Sequence, residues 1–162
     1  MLQGITYSIM LIAAVLLVLG GVRTVRAPQA VRAALTAQGL RGDSLVGVIA
    51  CVEIVVGGLA IGGSRIGVFA LAIVYVGYAA FVARAARRRI SCGCLGQSDA
   101  PATWRHATTN AIFAASAATA AAIGAPAVGP IALIALFGLV GLGAILALQV
   151  VSPSSHFEVG VR

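Results

Sequence analysis

Apolar residues in this chain fall into long blocks separated by short polar or Arg-bearing connections, instead of alternating as they would along half-buried strands. Crossing the hydrocarbon core of a bilayer takes roughly 17–25 mostly apolar residues in a helix. Five blocks meet or approach that length: about Ile5 to Gly21, Ser44 to Gly63, Ile66 to Ala83, Ala107 to Ile123, and Ile131 to Val151. The fourth is rich in Ala and the weakest of the set. The pattern predicts an all-α, polytopic membrane helix bundle over residues 1–151, with four core helices and a fifth span. A polar C-terminal tail follows over 152–162.

The first block reads as a retained helix and not as a cleaved leader. A secretory signal carries its basic residues ahead of the apolar core. Here no Arg or Lys precedes Ile5, and Arg23 and Arg26 follow the block. Between the first two spans lies Val22–Asp43, the longest connection. Within it Pro28 suits a first helical turn, and Val31, Ala34, Leu35 and Gln38 fall at i, i+3, i+4 and i+7. That spacing predicts a short interfacial amphipathic helix ending at Gly39.

Composition agrees with the pattern. The 162 residues are 60% hydrophobic and only 9% charged, with a mean hydropathy of +1.06, against about 25% charged in a soluble domain. Every one of the 11 basic residues is Arg, against four acids: Asp43, Glu53, Asp99 and Glu158. The net charge of +7 does not indicate nucleic acid, because no basic stripe is interleaved with aromatics. It reads instead as a topology signal. Nine Arg lie in the first and third connections: Arg23, Arg26, Arg32, Arg41, Arg84, Arg87, Arg88, Arg89 and Arg105; Arg65 alone lies opposite. By the positive-inside bias those two connections are cytoplasmic. The expected location is a bacterial plasma membrane, with the lipid bilayer as the first partner. Gly58 and Gly62 form a Gly-x-x-x-Gly pair of the kind that lets membrane helices approach closely.

The sharpest chemical feature is Ser91-Cys92-Gly93-Cys94-Leu95-Gly96, just ahead of the fourth span. Gly93 frees the backbone between the two thiols. A disulfide across so small a ring is strained and easily reduced, which suits a redox site better than a permanent staple. Arg88, Arg89 and Arg105 stand close in sequence, and positive charge beside a helix N-terminus stabilises thiolate. Two other readings stay open. Cys92, Cys94 and His106 supply three metal ligands, but no fourth is evident in the loop, so no metal is assigned. The thiols can also be structural or lipid-bearing.

Glu53 is the second feature, an acid near the middle of an apolar span. Such a group costs several kcal/mol unless protonated, hydrated or paired, and faces a bundle interior or a cavity. It is either a proton-handling group or a polar tie between helices. Asn110 lies inside the fourth span, one turn from His106, where it can add polar atoms below the thiols or bond across helices. Cys51 reads as a small apolar residue, and Tyr75, Tyr78 and Trp104 as interfacial anchors.

Taken together, these residues resemble a known family. An apolar helix leads to an Arg-containing arm, then to a span with Cys51-Val52-Glu53-Ile54-Val55-Val56-Gly57-Gly58. A third span ends in Arg and runs into Ile90-Ser91-Cys92-Gly93-Cys94-Leu95-Gly96, followed by a polar helix start with Asn110. From about Gly21 to Ala118 this is similar to the MauE group within the DoxX-like, redox-associated membrane proteins. The resemblance implies a bundle of about four helices arranged like vitamin K epoxide reductase. It also implies thiol–disulfide chemistry beside a thioredoxin-like partner, with Cys92 and Cys94 as the redox pair and Glu53 as the intramembrane acid. A quinone near Glu53 is the candidate cofactor if electrons cross the membrane. The function expected is therefore a membrane thiol–disulfide oxidoreductase or redox accessory factor. The rival is a non-catalytic subunit or scaffold of a larger membrane complex, and a carrier built on Glu53 is a third reading.

Overall fold

The computed structural model describes residues 2–40, 43–90 and 102–124, with the side chains of Leu2 and Asp43 excepted. Five helices appear there: α1 Leu2–Arg26, α2 Pro28–Ala37, α3 Asp43–Ile61, α4 Arg65–Arg88 and α5 Trp104–Ile123. Among the described residues there is no strand. The predicted span 131–151 and the tail 152–162 lie outside them, as do Cys92 and Cys94.

Helices α1, α3 and α4 are long and apolar enough to cross a membrane. Helix α5 has spanning length, but His106, Thr108, Thr109 and Asn110 at its head dilute its apolarity. Both α1 and α4 outrun the predicted spans at their C-terminal ends, through Arg23 and Arg26 and through Arg84, Arg87 and Arg88. An apolar block ends at its first charge, whereas Ala and Arg are good helix formers and carry the helix into the polar zone.

Around the bundle α1 packs on α3, α3 on α4, α4 on α5, and α5 back on α1. Successive long helices alternate in direction. The C-terminal ends of α1 and α4 and the N-terminal ends of α3 and α5 therefore share one end of the bundle. All described Arg except Arg65 gather there.

Helix α2 matches its predicted stripe. Ala34, Leu35 and Gln38 are buried and Val31 is half-buried. Pro28 opens the helix, and a Schellman turn closes it. Gly39 (φ 82°) takes the left-handed position there, with Leu40 N–H donating to Leu35 O at 2.9 Å.

Close packing rests on other glycines than the predicted pair. A Cβ on Gly57 of α3 would stand 2.6 Å from Val18 Cγ2 and 2.8 Å from Ala14 O of α1. One on Gly21 of α1 would stand 2.9 Å from Ala50 O and from Glu53 Cβ. Each helix thus offers one bare backbone to the other. Gly58 has nothing within 4 Å of its Cβ position, and Gly62 lies near its own helix alone. The predicted Gly58/Gly62 contact is not the one used, because Gly57 rather than Gly58 faces α1.

The two classes of glycine predict opposite responses. Gly57→Ala presses a methyl into the α1 backbone and should cost about 1–3 kcal/mol by overpacking. Gly58→Ala meets open space and should gain up to about 1 kcal/mol of helix propensity. Thermal unfolding of the purified protein in detergent separates them; equal effects at both positions would contradict the packing described.

Candidate functional site

Thr24, Gln38 and Glu53 are the buried polar or charged residues among those described, and all serve the Arg-rich half of the bundle. Glu53 comes from α3 with only 7% of its surface exposed. Its Oε1 accepts a hydrogen bond from the Tyr78 hydroxyl of α4. Its Oε2 accepts a long one, 3.5 Å, from Thr24 Oγ1 of α1. The position explains the partners. Side chains on a helix lean toward its N-terminus, so the carboxyl points toward the end where α1 finishes. Gly20 of α1 faces the carboxyl at this level, where a methyl on it would stand in ordinary contact with Oε1 at 3.5 Å. One turn along α4 from Tyr78, the Phe81 carbonyl accepts from Gln38 Nε2 at 3.4 Å, which seats α2 over the same region.

Tyr75 lies one turn below Tyr78 and is 4% exposed. Its hydroxyl donates to Ala13 O of α1 at 2.8 Å. Its ring meets Tyr78 and Phe113 of α5 edge-on, with centroids 6.1 and 5.2 Å apart. Tyr75 and Tyr78 are therefore interior residues and not the interfacial anchors the sequence suggests. Trp104 does stand at the surface, 56% exposed, with the Arg87 guanidinium 5.7 Å from its ring centre. Cys51 is exposed on the flank of α3, as a small apolar residue can be.

The second group of predicted residues assembles around the connection that carries Cys92 and Cys94. Both cysteines lie outside the described residues, but the two ends of their connection do not. Ala102 N–H donates to Ile90 O at 3.0 Å, so the connection leaves and returns at one point. A small apolar cluster of Val82, Ala85, Ala102 and Ala107 backs that junction. Arg88, Arg89, Arg105 and His106 are exposed around it, and Asn110 is half-buried one turn further along α5. Arg89 closes α4 in the left-handed conformation, φ 55°, which costs a non-glycine residue roughly 1–2 kcal/mol.

The prediction joined Glu53 to the thiol residues as one site. Among the described residues its hydrogen-bond partners come from α1 and α4: Thr24, which the sequence did not single out, and Tyr78, which it read as an interfacial anchor. Thr24 had no signal beyond lying inside a helix end. Tyr78 had one, since it sits where α4 crosses the depth of Glu53. A quinone at Glu53 does not fit this arrangement. The carboxyl is enclosed and both its oxygens are engaged, while the described groove lies elsewhere, between α4 and α5, lined by Ala and Val alone.

An all-α membrane bundle with a buried acid tied to two neighbouring helices, and a pinned connection at its Arg-rich end, defines the class. Within that class the chain belongs to the MauE family: the family model described as methylamine utilisation protein MauE matches residues 2–124. The match takes in all five described helices. No curated protein and no solved structure matches the chain.

Removing one donor from the buried carboxyl should destabilise the bundle, more at Tyr78 than at Thr24, whose bond is the longer. Interhelical hydrogen bonds in membranes average about 0.6 kcal/mol and reach about 1.7. Tyr78→Phe is expected near the top of that range and Thr24→Val near the mean. Unfolding in detergent, read by circular dichroism, checks the order; a neutral Tyr78→Phe would remove the tie from the account.

Proposed function

We propose that this MauE-family membrane protein is a thiol–disulfide redox factor that exchanges electrons with a partner protein through Cys92 and Cys94. The observation that supports the reading is the junction at Ile90 and Ala102. The connection bearing both cysteines starts and ends at a hydrogen-bonded pair flanked by Arg88, Arg89, Arg105 and His106. Positive side chains and the N-terminus of α5 both favour thiolate, the nucleophilic form.

The exchange balances without a cofactor. A partner thiolate attacks one sulfur of the Cys92–Cys94 disulfide, forming a mixed disulfide and releasing the other cysteine as thiolate. The partner's second thiolate then displaces the chain, which is left as the dithiol while the partner carries the disulfide. Exchange with a second disulfide-bearing protein returns the chain to its starting state. A thioredoxin-like protein has the dithiol chemistry to be the first partner. Glu53 acts from beneath as the intramembrane acid whose bond to Tyr78 fixes α4, and so the end from which Cys92 departs. The Arg-rich end faces the cytoplasm of a bacterial plasma membrane, by the positive-inside bias.

Thiol labelling in intact cells with a membrane-impermeant maleimide, before and after reduction, tests this reading. Labelling of Cys92 and Cys94 that requires both permeabilisation and reduction is the expected result. Labelling after reduction alone would turn the Arg-rich end outward while keeping the redox role. Permanently free thiols, with Cys92→Ser and Cys94→Ser both retaining function, would replace the redox factor by a scaffold subunit.

A further inference from the structure

Hydroxyl side chains inside helices ordinarily return to their own backbone. Ser8, Thr108, Thr109 and Thr119 each donate to the carbonyl four residues earlier, at 2.9 to 3.0 Å. Thr24 stands four residues after Gly20 within α1 and has the same acceptor in Gly20 O. It turns its hydroxyl across to Glu53 Oε2 instead, over a long 3.5 Å. Threonine in a helix divides between two χ1 rotamers because one of them brings Oγ1 to that carbonyl. The Thr24 hydroxyl therefore has two acceptors separated by one bond rotation. Gly20 itself borders the acid, its Cβ position 3.5 Å from Oε1.

Neighbouring polar groups are fixed on the acid or bonded elsewhere. Tyr78 of α4 donates to Oε1, and Tyr75 donates to Ala13 O at 2.8 Å. Gln38 of α2 is bonded to Phe81 O. Arg23 and Arg26 of α1, Arg32 of α2, and Arg84, Arg87 and Arg88 of α4 are the cations of the packed helices at that end, and all are exposed. Tyr7 and Arg65 belong to the opposite end. Among the described side chains Glu53 is the only acid. Thr24 lies in the last turn of α1, two residues before Arg26, so it stands on the side of the carboxyl that faces the Arg-rich end.

We propose that Glu53 and Thr24 form a proton-exchange site served from the Arg-rich end, with Thr24 as the hydroxyl that turns when the proton arrives. With Glu53 ionised, Thr24 donates to Oε2. A proton taken from water on the Arg-rich side binds at Oε2, and the carboxylate becomes a neutral acid. That acid then donates to Thr24 Oγ1, since a hydroxyl both donates and accepts. The Thr24 hydrogen turns to Gly20 O, whose second lone pair is available beside its helical bond. Release runs the same steps backwards and returns one proton to water. Neither state leaves a buried donor unmatched. The site is independent of the thiol chemistry above.

Infrared spectroscopy of the full-length protein in lipid vesicles reads the site through the carbonyl stretch of a protonated carboxyl, and Glu53→Gln identifies the band that belongs to Glu53. The band is expected at low pH, is lost reversibly at high pH, and shifts on transfer to deuterated water. A Glu53 band that ignores pH, or that does not exchange, would overturn the proposal in the unaltered protein. The variants separate a relay from a tie by the sign of the effect. If Thr24 only ties helices together, Thr24→Val loosens the bundle and deuterium enters faster. As the relay, its loss slows exchange about ten-fold, the order expected when a buried acid loses its turning partner. Thr24→Ser, which keeps the hydroxyl, should restore the rate. Exchange that is unchanged or faster in Thr24→Val, or not restored by Thr24→Ser, would overturn the assignment.

Discussion

A carboxyl group inside hydrocarbon has to find its hydrogen-bond donors within the protein, because no water is there to supply them. Glu53 meets that requirement by drawing Thr24 from α1 and Tyr78 from α4 to one point on α3. Apolar packing between membrane helices has little directional preference, since lipid tails are as apolar as the helix faces. A buried acid with two named partners has a strong one. It sets which faces of α1, α3 and α4 turn inward, and it sets their depth relative to one another. Rotating α4 by one residue, about 100°, would carry Tyr78 away from the carboxyl and leave the acid short of a donor.

Small residues make that convergence possible. Thr24 can approach Glu53 because Gly21 and Gly57 let the α1 and α3 backbones come together above and below it. At the opposite end the hairpin from α3 to α4 uses the same device. Gly63 (φ 76°) takes the left-handed turn, Ser64 Oγ accepts from Gly67 N–H at 3.3 Å, and a Cβ on Gly67 would lie 2.6 Å from Ala60 N. Glycine at 67 is therefore what allows α4 to start flush against the end of α3. Tyr75 completes the arrangement by bonding to Ala13 O of α1 and stacking its edge against Phe113 of α5.

Much of this was legible in the sequence, and the illegible part has a physical reason. The apolar helices α1, α3 and α4 followed from block length, and the short helix α2 from Pro28, Gly39 and the stripe Val31, Ala34, Leu35 and Gln38. Glu53 announced itself as an acid in an apolar block. Which face of each span turns inward was hidden, because both faces are apolar: Leu17 is buried while its neighbour Leu16 is exposed. For the same reason Gly58 looked as suitable as Gly57, and the tyrosines looked like surface anchors. In a soluble helix the polar face would have settled those choices. Here only the partners of Glu53 settle them, and they are far away in sequence.

The two functional regions are joined by a single rigid element. Tyr78 and Arg88 are ten residues apart on α4, about 15 Å along its axis. Tyr78 is held by the buried acid, and two residues beyond Arg88 the chain reaches Ile90, whose carbonyl pins the return of the cysteine-bearing connection. Glu53 is therefore tied through Tyr78 to the helix whose far end carries Arg87 and Arg88. On the proposed redox reading the acid need not meet a thiol, because its bond to Tyr78 helps to hold the helix that precedes Cys92. In that reading Glu53 is a positioning residue, and Arg88, Arg89 and Arg105 supply the positive charge at the ends of the cysteine-bearing connection.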